Sequence, residues 1–146
     1  MGKEERNERR ENYRHFLTIP TRWMDNDVYG HVNNVTYYSY FDTVVNEFLM
    51  RFTGLDYRGS APVGMVVETG CRFHAEIAFP DVLDVGMRVA RLGNSSVTYE
   101  IAIFRQGHEA PSATGHFVHV YVVQGEMKPV PIPVTVRDKL QSLVVA

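Results

Sequence analysis

The chain has 146 residues and a mass of 16.7 kDa, the length of one ordinary domain that can bury a core without disulfides or metal. Hydrophobic residues make up 45% and charged residues 22%, close to globular averages, which argues against a disordered, collagenous or membrane-spanning chain. Fifteen Lys and Arg against seventeen Asp and Glu give a net charge of −2, so no excess of positive charge attracts a nucleic acid.

The cysteine content and the lack of long apolar runs indicate a cytoplasmic protein. Cys71 is the only cysteine, which excludes an intrachain disulfide and a four-cysteine zinc site and suits a reducing compartment. The first residues carry no apolar signal segment, and no apolar run is long enough for a membrane span. We therefore expect a cytoplasmic location and no membrane partner.

The N-terminal part predicts a charged leader followed by a first strand. Eight of the nine residues from 3 to 11 are charged, four of each sign, which predicts a solvated leader over residues 1–13 whose order the sequence leaves open. A single domain is expected over residues 14–146. Apolar and polar residues alternate over residues 16–23 and predict a strand, which Pro20 places at a sheet edge or at a bulge.

A loop and a long helix follow. Turn-forming residues over positions 24–34 predict the loop, and Asn33 or Asn34 can cap the helix. Apolar residues at spacings of three and four then predict a helix of about five turns, roughly 25–27 Å long. Gly54 is expected to end this helix as its C-cap. The predicted apolar stripe consists of Tyr38, Phe41, Val45, Phe48 and Phe52, widened by Tyr37, Val44 and Leu49.

The remaining residues predict a sheet. Tight hairpins are expected at residues 92–95 and 105–108, so the sheet should be mainly antiparallel. An extended tail is expected at residues 129–133, followed by a short helix within residues 134–145. One strand, one long helix and a meander of strands predict an α+β fold with the helix packed on one face of the sheet. Segments rich in β-formers predict the strands at residues 62–79, 83–92, 95–105 and 114–123.

Several enzyme classes lack their motifs. The sequence has no G-x-S-x-G elbow, no Walker A loop, no G-x-G-x-x-G and no H-E-x-x-H. His116 and His119 suggest a metal pair, but residues three apart on a strand point to opposite faces of the sheet. No metal site is therefore predicted.

The loop before the helix has the residues best suited to chemistry. Asp25, Asp27 and Gly30 precede a helix start, where free backbone N–H groups and the helix dipole favour negative charge. Such a place suits a developing oxyanion. The same residues are also those of an Asx-rich turn with a helix cap, and local chemistry alone favours that second interpretation.

This loop also matches a known signature. Residues 25–34 are D-N-D-V-Y-G-H-V-N-N, and Tyr37 and Asp42 follow on the helix. The segment resembles the D-x-D-x-x-G-H-V-N-N-x-x-Y signature of hotdog-fold acyl-CoA thioesterases of the 4-hydroxybenzoyl-CoA thioesterase type. The resemblance is strongest over residues 19–50. Looser agreement continues in the expected order at residues 79–80, 84, 92–96 and 131–133.

The resemblance implies a hotdog fold, in which a curved antiparallel sheet wraps around one long helix. It also implies a homodimer whose two sheets join edge to edge with the active sites at the interface, and dimers that can pair as a tetramer. The implied activity is hydrolysis of an acyl-CoA thioester to the free acid and CoA. No cofactor is implied beyond the CoA of the substrate.

The family pattern assigns roles within the loop. The reacting carboxylate matches Asp27, and the backbone N–H that polarises the thioester carbonyl matches that of Asn34. Asp27 would either attack the carbonyl or deprotonate a water, and the ordinary Asp pKa near 3.9 favours attack. His31 is expected to brace the loop, with a role as catalytic base as the alternative.

The pattern also suggests substrate contacts and alternative carboxylates. Tyr29 is bulkier than expected near an acyl pocket, so the acyl preference stays open. Asp42 and Glu47 are alternative carboxylates because some relatives use one on the helix. The expected substrate-binding residues are Tyr29, Gly30, Tyr37, Arg91, Ser95 and Ser96, the last three at a hairpin where relatives often meet CoA phosphates.

Two other functions remain open at this stage. A non-catalytic module could bind an acyl thioester, although a pure binder does not need a carboxylate such as Asp27 at a helix N-terminus. A hotdog hydratase or dehydratase is the second alternative, and the sequence has no G-D-x-N-P-x-H motif to support it. The sequence does not identify the acyl group, nor does it separate CoA from acyl-carrier-protein thioesters.

Overall fold

The computed structural model describes residues 7–145, which form a five-stranded sheet, one long α-helix and one short one. Two short 3-10 turns, at Arg10–Asn12 and Trp23–Asp25, precede the first strand and the long helix. The other elements in chain order are β1 (His15–Pro20), α1 (Asn34–Thr53), β2 (Val63–Phe73), β3 (Val82–Leu92), β4 (Ser96–Arg105), β5 (Ala113–Val122) and α2 (Val134–Gln141).

The sheet is antiparallel throughout, in the order β1-β3-β4-β5-β2, and it curves around α1. This confirms the predicted α+β hotdog fold. The expected meander is wrong at one point, because β2 pairs with β5 and lies at the edge opposite β1. Residues 74–81 cross the ends of β5 and β4, so this segment rather than a hairpin joins β2 to β3.

The long helix has the predicted bounds. Asn33 caps α1 by accepting a hydrogen bond from the Val35 N–H at 2.9 Å, and Gly54 ends it with φ of +69°, a conformation that glycine adopts without steric cost. The predicted stripe packs into the core, joined by Tyr40. Phe52 is the exception: it lies in the last turn and keeps 43% of its surface exposed.

The first strand is shorter than predicted. β1 ends at Pro20 rather than at Trp23, because the Asp25 carboxylate accepts a hydrogen bond from the Arg22 N–H at 2.9 Å and draws the chain into a 3-10 turn. Pro20 lies on an edge strand, as predicted from its missing N–H.

The second strand also ends early. β2 stops at Phe73 rather than at residue 79, because the N–H groups of His74 and Ala75 both donate to the Ser112 carbonyl, at 2.8 and 3.0 Å. These two hydrogen bonds turn the chain off the sheet and start the crossing segment. The segment then runs toward the opposite edge of the sheet, where the N–H of Thr21, just after β1, donates to the Asp81 carbonyl at 3.0 Å.

Part of the predicted leader packs on the face of the sheet opposite α1, and its residues 1–6 lie outside the described residues. Tyr13 is buried against Phe104, with ring centroids 6.1 Å apart. Arg10 donates to Asp84 at 2.8 Å, and the Arg88 guanidinium lies over the Tyr13 ring at 4.5 Å. These contacts cover part of the outer face of β3 and β4.

The two strand histidines lie on opposite faces of β5, as predicted. His116 faces outward, with Nε2 2.8 Å from Glu68, whereas His119 is buried beside Tyr99 and Phe117. Within residues 7–145, no group of three or more His, Cys, Asp or Glu side chains is arranged to hold a metal ion. None of the helices in this same range is long and apolar enough to cross a membrane.

Candidate active site

The loop between β1 and α1 is anchored by the carboxylate of Asp25, which is only 2% exposed. Its oxygens accept hydrogen bonds from the backbone and guanidinium of Arg22, between 2.9 and 3.2 Å, and from the Tyr40 hydroxyl at 2.8 Å. Its carbonyl accepts from the Asn33 N–H at 2.9 Å. One residue thus ties the start of the loop to its end and to α1.

The same hydrogen bonds keep Asp25 ionised. Burial by itself opposes the charge, but the bonds from the Arg22 N–H, the Tyr40 hydroxyl and the Arg22 guanidinium outweigh it and hold the pKa of Asp25 below its ordinary value. Burial and the Asp25 charge together raise the pKa of Tyr40 well above its ordinary value, so this hydroxyl stays a donor. Asp25 is therefore a charged anchor for the loop.

Asp27 lies two residues after Asp25, in a tight turn whose two arms are joined by backbone hydrogen bonds. Its N–H donates to the His31 carbonyl at 2.9 Å, and its carbonyl accepts from the N–H of Gly30, whose φ is +83°. Its Oδ1 accepts from the Tyr29 N–H at 2.9 Å, whereas its Oδ2 accepts no hydrogen bond from any group in residues 7–145. One carboxylate oxygen holds the turn and the other remains available.

Asn34 is the first residue of α1, and its N–H donates to no group in the described part of the chain. The next two N–H groups are both taken up by Asn33: that of Val35 by its side chain and that of Thr36 by its carbonyl, each at 2.9 Å. The Asn34 N–H is thus a free donor at the positive end of a 20-residue helix. Such a donor can bind a negatively charged oxygen.

The crossing segment, residues 74–81, braces the loop from the other side. Glu76 Oε2 lies 2.9 Å from His31 Nε2, and the Ile77 carbonyl accepts from the Val32 N–H at 2.8 Å. Sequence reasoning missed Glu76 because no motif marks it. It fell inside the strand predicted over residues 62–79, which in the structure ends at Phe73.

The same segment also contacts the beginning of the turn. The Phe79 N–H donates to Asn26 Oδ1 at 3.0 Å, and the Phe79 ring meets the Trp23 ring edge to face at 6.0 Å. Trp23 keeps 77% of its surface exposed, so this aromatic pair forms an open apolar flank beside the Asp27 turn. Sequence reasoning had placed Trp23 on the first strand and had not connected it with this flank.

The predicted substrate residues on the loop and helix differ in exposure. Tyr29 is 81% exposed at the tip of the turn, next to Gly30. Tyr37 is buried in the core, with its ring 4.8 Å from that of Phe73, and burial raises its pKa to about 12, so the phenol is neutral. Within one chain, the turn is therefore open to solvent, whereas Tyr37 lies in the core.

The predicted hairpin residues Arg91, Ser95 and Ser96 lie at the far end of the sheet. β3 begins beside the Asp27 loop, at Val82, and runs for 11 residues before the hairpin. At about 3.3 Å per residue this separates the hairpin from the loop by roughly 30–35 Å. One chain alone does not bring these three residues to Asp27.

Comparisons with known proteins identify the family of this chain. A family model described as the thioesterase-like superfamily matches residues 21–140. The PA5185 protein of Pseudomonas aeruginosa is 51% identical over 94% of this chain and 96% of its own, with a TM-score of 0.92. A predicted thioesterase of Bacillus stearothermophilus is 26% identical, covering 89% and 96% of the two chains, with a TM-score of 0.77.

More distant structures share the fold. A gentisyl-coenzyme A thioesterase is 24% identical over 86% of this chain and 99% of its own, with a TM-score of 0.76. A comparison with curated proteins found no match. The family model covers most of the chain, including the Asp27 loop, the helix and the whole sheet after β1. The chain therefore belongs to the thioesterase-like superfamily and has the hotdog fold.

Proposed function

We propose that this protein is an acyl-CoA thioesterase that hydrolyses a thioester to the free carboxylic acid and CoA, with Asp27 as the reacting carboxylate. One observation carries the proposal: a carboxylate with one free oxygen and a free helix N-terminal N–H, that of Asn34, belong to the same loop-and-helix unit. Membership of the thioesterase-like superfamily supports the reaction class. A relative described as a gentisyl-coenzyme A thioesterase supports a CoA thioester as substrate.

The Asn34 N–H has the electrophilic role. It donates to the thioester carbonyl oxygen and stabilises the oxyanion that forms when the carbonyl is attacked. Loss of one such donor typically lowers the rate about 10²–10³-fold. The helix dipole adds to the effect, because the developing negative charge lies at its positive end.

Asp27 acts by one of two routes. As a nucleophile, its carboxylate attacks the carbonyl, CoA leaves as the thiolate, and water hydrolyses the resulting mixed anhydride to regenerate the carboxylate. As a general base, it takes a proton from water, the hydroxide attacks, and the carboxylic acid returns the proton to the departing thiolate. We favour the nucleophilic route. Single-turnover hydrolysis in ¹⁸O-labelled water tests it: label in Asp27 requires the anhydride, whereas label only in the product acid excludes an anhydride that water opens at the Asp27 carbonyl.

The proposed active unit is a homodimer. β2 is an edge strand of 11 residues whose outer side pairs with no strand within residues 7–145, and it exposes the apolar side chains of Met65, Val66 and Val67. A long apolar edge of this kind favours pairing with another strand. Two copies of β2 paired antiparallel would extend the sheet across the interface, and two such dimers could pair as a tetramer.

Edge pairing would also complete the site. Phe73, at one end of β2, contacts Tyr37 beside the Asp27 loop, whereas Val63, at the other end, lies on the side of the β3–β4 hairpin. An antiparallel pair brings the Val63 end of one copy beside the Phe73 end of the other. The hairpin of one copy, with Arg91 and Ser95, would then face the Asp27 loop of its partner.

The decisive experiment is thiol release from a panel of acyl-CoAs by the wild type and by Asp27→Asn. Asn retains an oxygen that accepts from the Tyr29 N–H, so the turn persists and only the charge is lost. We expect Asp27→Asn to lower kcat on the order of 10² or more. Asp42→Asn is the control on α1, where the side chain is exposed and pairs only locally with Asn46.

The outcomes separate the functions. Equal release by the wild type and Asp27→Asn refutes the assigned role, and a loss in Asp42→Asn alone transfers it to the helix carboxylate. Acyl-CoA binding without thiol release by the wild type identifies a binding module. Loss of enoyl-CoA absorbance without thiol release identifies a hydratase.

A further inference from the structure

We propose that Glu76 is a positioning residue of this site, which acts through His31 to hold the turn that presents Asp27. This inference rests on the proposed function. It goes further by assigning a role to the crossing segment, residues 74–81, which lies outside the sequence signature.

The crossing segment touches both arms of the Asp27 turn. On the arm after the turn, Glu76 lies 2.9 Å from His31 and the Ile77 carbonyl accepts from the Val32 N–H at 2.8 Å. On the arm before it, the Phe79 N–H donates to the Asn26 side chain at 3.0 Å. The two arms themselves meet as a short bridge between residues 26 and 32. The crossing segment thus supports the turn through contacts with both of its arms.

Within the crossing segment, Glu76 is the residue whose side chain makes its polar contact with His31 of the turn. Ile77, its neighbour, is 1% exposed and fixed in the core, so Glu76 projects from a rigid point. The Glu76 side chain is 76% exposed, and it pairs with His31 rather than packing in the core. Its removal should therefore leave the fold intact.

The restraint on His31 reaches Asp27 through one hydrogen bond. The His31 carbonyl accepts from the Asp27 N–H at 2.9 Å, so fixing the His31 side chain fixes the atom that orients Asp27. The tip of the turn has no packing of its own, since Val28 is 93% and Tyr29 81% exposed. The contact of His31 Nε2 with Glu76 favours the first of the two roles expected for His31 from the sequence, that of bracing the loop.

A double-mutant cycle tests the pair in steady-state thiol release. We expect Glu76→Gln and His31→Gln each to lower kcat about two- to five-fold, the range for one exposed polar contact, with KM nearly unchanged. The double variant should be no slower than the slower single variant, because both changes weaken the same contact between the two side chains. Glu76→Asp should recover part of the loss. If the reductions in kcat of the two single variants multiply in the double variant, the two side chains act independently and the inference is refuted.

The matched control is Glu109→Gln. Glu109 is as exposed as Glu76, at 72%, and lies 3.9 Å from Arg10 at the turn between β4 and β5. It carries the same charge, so Glu109→Gln corrects for the change in net charge. We expect it to leave kcat unchanged, and a loss equal to that of Glu76→Gln would overturn the inference.

Amide hydrogen exchange measures the brace without turnover. The Asp27 amide should exchange several-fold faster in Glu76→Gln than in the wild type or Glu109→Gln, while core amides are unaffected. Unchanged exchange at Asp27 overturns the inference. A wild type that releases no thiol refutes the proposed function, and exchange then still decides the brace. An active wild type that needs Asp27, with Glu76→Gln indistinguishable from the control, refutes the brace alone.

Discussion

Replacing Tyr40 with Phe tests how the candidate loop is anchored. The Tyr40 hydroxyl donates to Asp25 Oδ2 at 2.8 Å, between two residues that are 4% and 2% exposed. Phe keeps the ring and its packing and removes one hydrogen bond from a buried, charged carboxylate. The other bonds to this carboxylate come from Arg22.

The magnitude follows from this geometry. A hydrogen bond to a charged group contributes about 1.5–3 kcal/mol, so Tyr40→Phe should lower the free energy of unfolding by about 2 kcal/mol at neutral pH. For a chain of this length, that corresponds to a fall in Tm of roughly 4–8 °C. Tyr38→Phe is the control on the same helix. It also removes one tyrosine hydroxyl, but the hydroxyl of Tyr38 forms no hydrogen bond with any group in residues 7–145. We expect the control to cost less than about 0.5 kcal/mol.

The pH dependence provides a second check. The pKa of Asp25 in the folded protein lies below its unfolded value, so its ionised form contributes stability above the unfolded pKa and loses it as the pH falls through the folded pKa. Because Tyr40 helps to lower this pKa, the difference between wild type and Tyr40→Phe should shrink below about pH 4. Urea unfolding at pH 7 and pH 3 measures both quantities. A loss no larger than that of Tyr38→Phe, or one independent of pH, would refute the reasoning.

Three further predictions concern the core and the helix. Gly54→Ala should lower the free energy of unfolding by about 1 kcal/mol in urea titrations, because φ of +69° is strained for alanine. Burial raises the pKa of Cys71 to about 12, so at pH 8 a maleimide should label the native thiol far more slowly than the urea-unfolded one; equal rates would contradict this. Burial lowers the pKa of His119 to about 4, so the unfolded state takes up the proton first and stability should fall between about pH 6.5 and 4. His119→Leu should remove about 3 kcal/mol of that fall, and an unchanged pH profile would argue against a buried neutral imidazole.

Local signals explain why the long helix was predictable. The apolar stripe, the cap at Asn33 and the terminating Gly54 all lie within the helix or next to it, so their effects do not depend on the rest of the fold. The place of β2 in the sheet was not predictable in this way. Residues 63–73 pair with β5, 40 or more residues later, and nothing in their composition distinguishes that edge from the one beside β3.

The residues of the candidate site show the same difference between local and long-range signals. Asp27, His31 and Asn34 were found because they fall within eight consecutive residues, where one signature covers them. Glu76 was missed because it lies 45 residues after His31 and reaches it only through the crossing that follows β2. The failed prediction of a meander and the missed brace thus have one cause: the sequence does not show which strands become neighbours.

The distance between Asp27 and the β3–β4 hairpin follows from that topology as well. A strand of 11 residues separates them, and no rearrangement within one antiparallel sheet brings its two ends together. Contacts to one substrate from both Asp27 and Arg91 therefore require a second copy, whose sheet runs in the opposite direction. The free edge of β2 permits that arrangement, because a two-fold axis through it reverses the strands of the partner. A loop whose charged turn and apolar tip stand open to solvent in the single chain is consistent with a site completed at such an interface.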